Sequence, residues 1–112
     1  MTKDGNKVKT WHDGSTFTYD GCVLTDTVIK YGKNVKNRPI TITTQQYAAL
    51  RKAFLGQVAK VGTSRTQPPA GSIGAWLQKN LTPIAIASYI VPILLREGYA
   101  VQENKESIRI IR

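Results

Sequence analysis

One histidine and one cysteine, His12 and Cys22, stand ten residues apart in this chain. A Cys/His pair can supply a nucleophile and its base. Each also has a commoner use, the cysteine as a small core residue and the histidine on the surface. The acidic residues of the first half, Asp4, Asp13, Asp20 and Asp26, are spread out, and Asp13 and Asp20 each precede a glycine. They read as turn residues, whereas a metal nuclease needs clustered carboxylates. Glu103-Asn104-Lys105 has the spacing of an E-x-K motif, but it falls on a charged turn. Zinc-finger ligands are absent, and no glycine-rich phosphate loop follows a strand. A chain of 112 residues buries one modest core and has little room for a deep catalytic cleft. The expectation is a non-enzymatic protein with no catalytic residue, no metal ligand and no cofactor.

Charge points to a different kind of chemistry. Sixteen Lys and Arg against seven Asp and Glu give a net charge of +9. Such an imbalance favours a polyanionic partner, nucleic acid before an anionic membrane surface. The plain alternative is a charge that serves solubility. Residues 1–69 carry 11 Lys and Arg against 4 Asp, a net of +7, so the excess lies in the first two thirds of the chain. The densest run holds Lys30, Lys33, Lys36 and Arg38, with Tyr31 among them. Lys7 and Lys9 alternate with Trp11. Cations interleaved with an exposed aromatic suit phosphate contact plus base stacking. The same charges can also guard a sheet edge against aggregation. Arg51, Lys52 and Arg65 are further candidates for backbone contact.

These side chains need elements to hold them. Asp13-Gly14 and Asp20-Gly21 sit between runs of β-formers and predict two tight hairpins. The expected registers pair Val8 with Tyr19, Thr10 with Phe17, Tyr19 with Cys22, and Phe17 with Leu24. They place Val8, Phe17, Tyr19, Cys22 and Leu24 on one face. Lys7, Lys9, Trp11, Thr16 and Thr18 take the other. A further strand from Val23 to Tyr31 turns at Gly32-Lys33-Asn34 and returns through Val35 to Ile42. Thr43 with Gln46 has capping-box spacing and opens a helix with Tyr47, Leu50, Phe54 and Val58 on one stripe, stopping near Gly62. Residues 63–70, with Pro68 and Pro69, form an extended loop. Ser72 caps a second helix with Ile73, Trp76, Leu77 and Leu81 on its stripe. Thr82-Pro83 restarts the chain as a third helix, carrying Ile86, Ile90, Ile93 and Leu94 inward and leaving Ser88, Tyr89, Pro92 and Arg96 outward. Two strand-like runs, Tyr99 to Gln102 and Ser107 to Ile111, close the sequence.

A short helix, a tight break, a helix ending in Leu-Leu-Arg-Glu-Gly-Tyr and then a hairpin resemble the winged helix-turn-helix superfamily over Ser72 to Arg112. The resemblance implies that the third helix lies in a DNA major groove and that the hairpin touches backbone or minor groove. It implies base contact from Thr82, Ser88 and Tyr89. Base edges are read by hydrogen bonds, and this helix face is thin in Arg, Lys, Asn and Gln. A winged helix with so bland a third helix also serves protein interaction or dimerisation.

The sequence thus predicts one α+β domain, residues 1–112. An N-terminal antiparallel β-meander (1–42) precedes a three-helix winged helix-turn-helix with a C-terminal β-hairpin wing (43–112). The expected function is nucleic-acid binding dominated by phosphate contacts, DNA before RNA and double-stranded DNA first. The alternative is a protein-interaction or dimerisation module, a homodimer or a part of a larger nucleoprotein complex. Cys22, the lone cysteine, excludes an internal disulfide and points to a reducing, cytoplasmic setting. The opening residues are polar, so no signal peptide is expected. Ile84 to Leu95, the most apolar stretch, is about half of what a bilayer crossing requires, so no membrane association is expected.

Overall fold

The computed structural model describes residues 7–11, 16–31, 39–64, 66–82 and 85–112. Strands β1 (Lys7–Lys9), β2 (Thr16–Gly21), β3 (Thr27–Tyr31) and β4 (Ile40–Ile42) form an antiparallel meander in chain order. Val8 pairs with Phe17, and Tyr19 pairs with Ile29. The first register is therefore two residues away from the expected one. A shift of two keeps each side chain on its face, so Phe17 and Tyr19 are buried as expected. The second hairpin does not close at Asp20-Gly21. Its turn lies beyond, where Thr25 N–H donates to the Cys22 carbonyl at 3.0 Å and Cys22 N–H donates to Thr25 Oγ1 at 3.1 Å. Cys22 and Leu24 consequently leave the apolar face, and Leu24 is exposed. The turns expected at Asp13-Gly14 and at Gly32-Lys33-Asn34 lie outside the described residues.

Helix α1 (Thr44–Phe54) begins with the expected capping box, Gln46 N–H donating to Thr43 Oγ1 and Thr43 N–H to Gln46 Oε1. It buries Tyr47, Leu50 and Phe54. It does not continue to Val58. Leu55 leaves helical geometry and Gly56 takes φ +77°, a conformation that only glycine adopts readily. The chain then forms strand β5 (Val58–Lys60), in which Ala59 points inward and Val58 and Lys60 point out. Helix α2 (Ile73–Asn80) is capped by Ser72 Oγ as expected. Helix α3 (Ala87–Arg96) precedes β6 (Ala100–Gln102) and β7 (Ser107–Ile110), which pair as a hairpin.

This element order overturns the winged helix-turn-helix expected for residues 43–112. The three helices are not consecutive, because β5 separates α1 from α2. Nor does the terminal hairpin stand alone as a two-stranded wing. It belongs to a three-stranded sheet ordered β5-β7-β6. The cause is edge satisfaction, since β7 alone would leave a row of unpaired N–H and C=O groups that β5 covers. The third helix also begins later than expected. Leu81 N–H and Thr82 N–H both donate to the Leu77 carbonyl, so Thr82 closes α2 and does not cap α3.

The core lies between the two sheets, with α3 at its centre, packed on β1, β6 and α2. Tyr47, Leu50, Phe54, Ile73, Leu77, Ile86, Ile90 and Leu94 share one buried cluster, with Trp76 packed against it, as the three apolar stripes predict. Polar links tie the meander to this core. The Glu97 carboxylate, just past α3, accepts from Tyr19 Oη at 2.6 Å and from Val23 N–H at 2.9 Å. Tyr47 Oη and Thr27 Oγ1 lie 2.6 Å apart, both buried.

Both phenols are held well above their ordinary pKa near 10, mainly by burial, reinforced at Tyr19 by Glu97. A group whose folded pKa is raised stabilises the fold fully below its unfolded pKa. That contribution is lost as pH rises above about 10, where only the unfolded phenol ionises. Denaturant melts at rising alkaline pH are expected to lose up to about 1.4 kcal/mol per pH unit for each tyrosine. Tyr19→Phe should make that loss distinctly shallower, and an unchanged slope would contradict the assignment.

Candidate nucleic-acid interface

Strand alternation gives the meander a second face, turned away from the core. Lys7, Thr18 and Lys30 occupy one cross-strand row, with Lys9 and Thr16 paired beside it. Lys9, Thr16 and Lys30 are exposed and Thr18 is half-buried. Lys9 with Thr16, and Lys30 with Thr18, thus set cations and hydroxyl donors side by side on the sheet, as phosphate oxygens require. Lys30 meets Asp20 at 3.2 Å, with both side chains largely in solvent. Such a surface pair is worth about 0–1 kcal/mol, so it yields easily to a phosphate. The remaining cations of the dense run, Lys33, Lys36 and Arg38, lie outside the described residues, as do Arg65 and His12. The described strands β3 and β4 flank that run.

Trp11 departs from expectation. It does not stand beside Lys9 as an exposed aromatic but is half-buried and packed against the core. Its backbone N–H donates to the Ser88 carbonyl at 3.1 Å. Pro92 explains why that carbonyl is free. It stands four residues after Ser88 and has no N–H to return, so the helix leaves one acceptor open inside α3. Pro92 itself is buried, not outward. Trp11 then forms one wall of a cleft of about 210 Å³, completed by residues 60–63, Pro69 and Glu106.

The other candidates are placed as follows. Ser88 and Tyr89 are half-buried, and the Tyr89 ring meets Phe17 edge to face at 5.2 Å. Of the residues of α3 only Arg96 is exposed, its guanidinium 6.0 Å from the centre of the Tyr19 ring. A helix enclosed in this way has no broad free face to lay in a groove. Thr82 is half-buried at the end of α2. Arg51 lies 4.5 Å from the centre of the Tyr99 ring and donates through Nε to the Arg112 carbonyl at 2.7 Å, while the Arg112 guanidinium lies 5.0 Å from the same ring. Arg51 therefore fastens Arg112, and Lys52 beside it is exposed. The candidate interface therefore comprises the exposed Lys9 and Lys30, with Lys7 in the same backbone row and Trp11 near its edge, and it leaves the third helix out.

The described acidic groups are mostly engaged within the protein. Asp26 accepts from Thr44 N–H at the start of α1, Glu97 holds Tyr19 and Val23, and Glu103 pairs with Arg109 at 2.9 Å. The Cys22 thiol is half-buried rather than in the core, and its contact with Thr25 Oγ1 at 3.5 Å holds its pKa below the ordinary thiol value. Among the described residues, no group of His, Cys, Asp and Glu is clustered to hold a metal ion, and no helix is long and apolar enough to cross a membrane.

Sequence reasoning missed the rest of the cleft, residues 60–63 with Pro69 and Glu106. Their signal was present in Leu55-Gly56, a glycine stop six residues before the one chosen. Moving the helix end there frees Val58-Ala59-Lys60 to alternate as a strand. No family model matches the chain, and neither a curated protein nor a solved structure matches it.

Proposed function

We propose that this protein binds nucleic acid through the outward face of its β-meander, with affinity dominated by phosphate contacts. The observation that carries the reading is the row Lys7, Thr18, Lys30 with Lys9 and Thr16 beside it. It stands on a chain of net charge +9 whose described carboxylates are largely committed to internal bonds. The third helix plays no part in base reading here, so discrimination between duplex sequences is weak.

The test is the salt dependence of binding. Each phosphate neutralised releases counterions, giving a log–log slope of about −0.9 per contact. Replacing Lys7, Lys9 and Lys30 together by glutamine is expected to flatten the slope by about one to three units, as read by fluorescence anisotropy. An unchanged slope places the contacts elsewhere.

A second reading, protein interaction, has one observation in its favour. Val58, Arg109 and Val101 form one row across the outer face of the β5-β7-β6 sheet, with both valines exposed, and Leu55 and Ile111 are exposed as well. Absence of nucleic-acid binding at low salt, together with concentration-dependent association in sedimentation, would favour it.

A further inference from the structure

We infer that the cleft beside Trp11 receives one unpaired base of a single-stranded nucleic acid, so that single strands are preferred to duplex. This rests on the phosphate-binding reading of the meander face and adds the strandedness of the ligand. The cleft is lined by Trp11, Lys60, Thr63, Pro69 and Glu106, with Val61 and Gly62 between them. An aromatic wall beside a cation is the pairing that stacks a base and holds its phosphate. Lys60 is exposed and takes part in neither of the two salt bridges found among the described residues, so its charge is available. Glu106 offers acceptors to a base N–H but repels phosphate, which orients the backbone toward the lysines.

Size decides the class of ligand. About 210 Å³ is below the roughly 300–1,000 Å³ of pockets for drug-sized molecules, so the cleft admits one ring system and little more. Duplex bases are stacked inside the helix and cannot reach such a wall, whereas single-stranded bases can splay out onto it. Position links the cleft to the lysine face. Lys9 precedes Trp11 by two residues, so their Cα atoms lie within about 7 Å. A base on Trp11 therefore brings its own phosphate within reach of Lys9, and the strand continues across the row holding Lys7 and Lys30.

The wall is also built to stay in place. The Trp11 backbone N–H is anchored on the carbonyl that Pro92 leaves open, and its side chain is held by packing on the core. A fixed ring loses little entropy when a base stacks on it.

The experiment uses the full chain carrying Trp76→Phe, which leaves Trp11 as its only tryptophan. Titration with a dT oligomer of about 12 nucleotides is expected to quench Trp11 fluorescence, and duplex of the same length is not. Trp11→Ala should weaken oligomer binding about 5- to 150-fold, the range for one lost stack, while duplex binding stays within twofold. Trp11→Phe keeps a stacking ring and should retain most of the affinity, which separates lost stacking from a damaged fold. Equal affinity for both forms with unquenched Trp11 overturns this inference alone. A mononucleotide that binds as tightly as the oligomer overturns the proposed function too, since the lysine face would then be idle. A protein that binds neither form overturns the proposed function and this inference with it.

Discussion

Replacing Ile90 by alanine is expected to lower stability by about 2–5 kcal/mol, the usual loss when a large buried side chain is cut to a methyl. Ile90 is fully buried at the middle of α3. That helix touches the meander through β1, the second sheet through β6, and α2. A cavity there is bordered by several elements, so no single shift can fill it, and the upper half of the range is expected. A domain of this size has a total stability of about 5–15 kcal/mol, so the variant should melt well below the wild type. Thermal or urea denaturation followed by circular dichroism measures it. A loss under about 1 kcal/mol would mean that α3 is not the central helix. The proposed interface would then lose its support, because it assumes that α3 is enclosed and that the meander presents its lysines to solvent.

What the sequence made legible follows from how local each signal is. The capping box at Thr43 and Gln46 and the Ser72 cap each lie within four residues, and both formed as expected. Within the helices that formed, the inward positions Tyr47, Leu50, Phe54, Ile73, Leu77, Ile90, Ile93 and Leu94 are buried as the 3.6-residue period requires. The meander faces survived a register error because that error was an even number of residues. Failures came where a distant partner decides. Val58 fits the α1 stripe and also fits a strand, and only β7, about fifty residues later, settles the choice. Asp20-Gly21 is a good hairpin pair, yet Thr25 supplies a turn that lets β3 start at Thr27 and reach Tyr47. Alternation with Lys9 predicts an exposed Trp11, whereas the residue is half-buried against the core. Its position depends on a carbonyl that Pro92 leaves without a donor on the far side of the chain. The same holds for the cleft, whose walls come from four separate stretches of sequence.

Gly74→Ala sets two effects against each other and shows which wins. Gly74 sits in the first turn of α2, and helix propensity alone would reward alanine there by about 1 kcal/mol. Packing opposes it. A Cβ at Gly74 would lie 1.7 Å from the Gly62 carbonyl oxygen and 3.2 Å from that of Val61, to which Gly74 N–H donates at 2.8 Å. Both obstacles are backbone, so no side chain can rotate away. The variant is expected to be less stable than wild type by about 1–3 kcal/mol or more, the cost of forcing atoms into a filled space. Because Val61 and Gly62 line the cleft beside Trp11, the displaced backbone should reshape it as well. Single-strand affinity should therefore fall in the folded variant, while the salt slope on duplex, set by the meander lysines, stays unchanged. A stabilised Gly74→Ala protein would show that α2 does not dock on the β5 exit. A destabilised one with unaltered single-strand binding would move the base site away from this cleft.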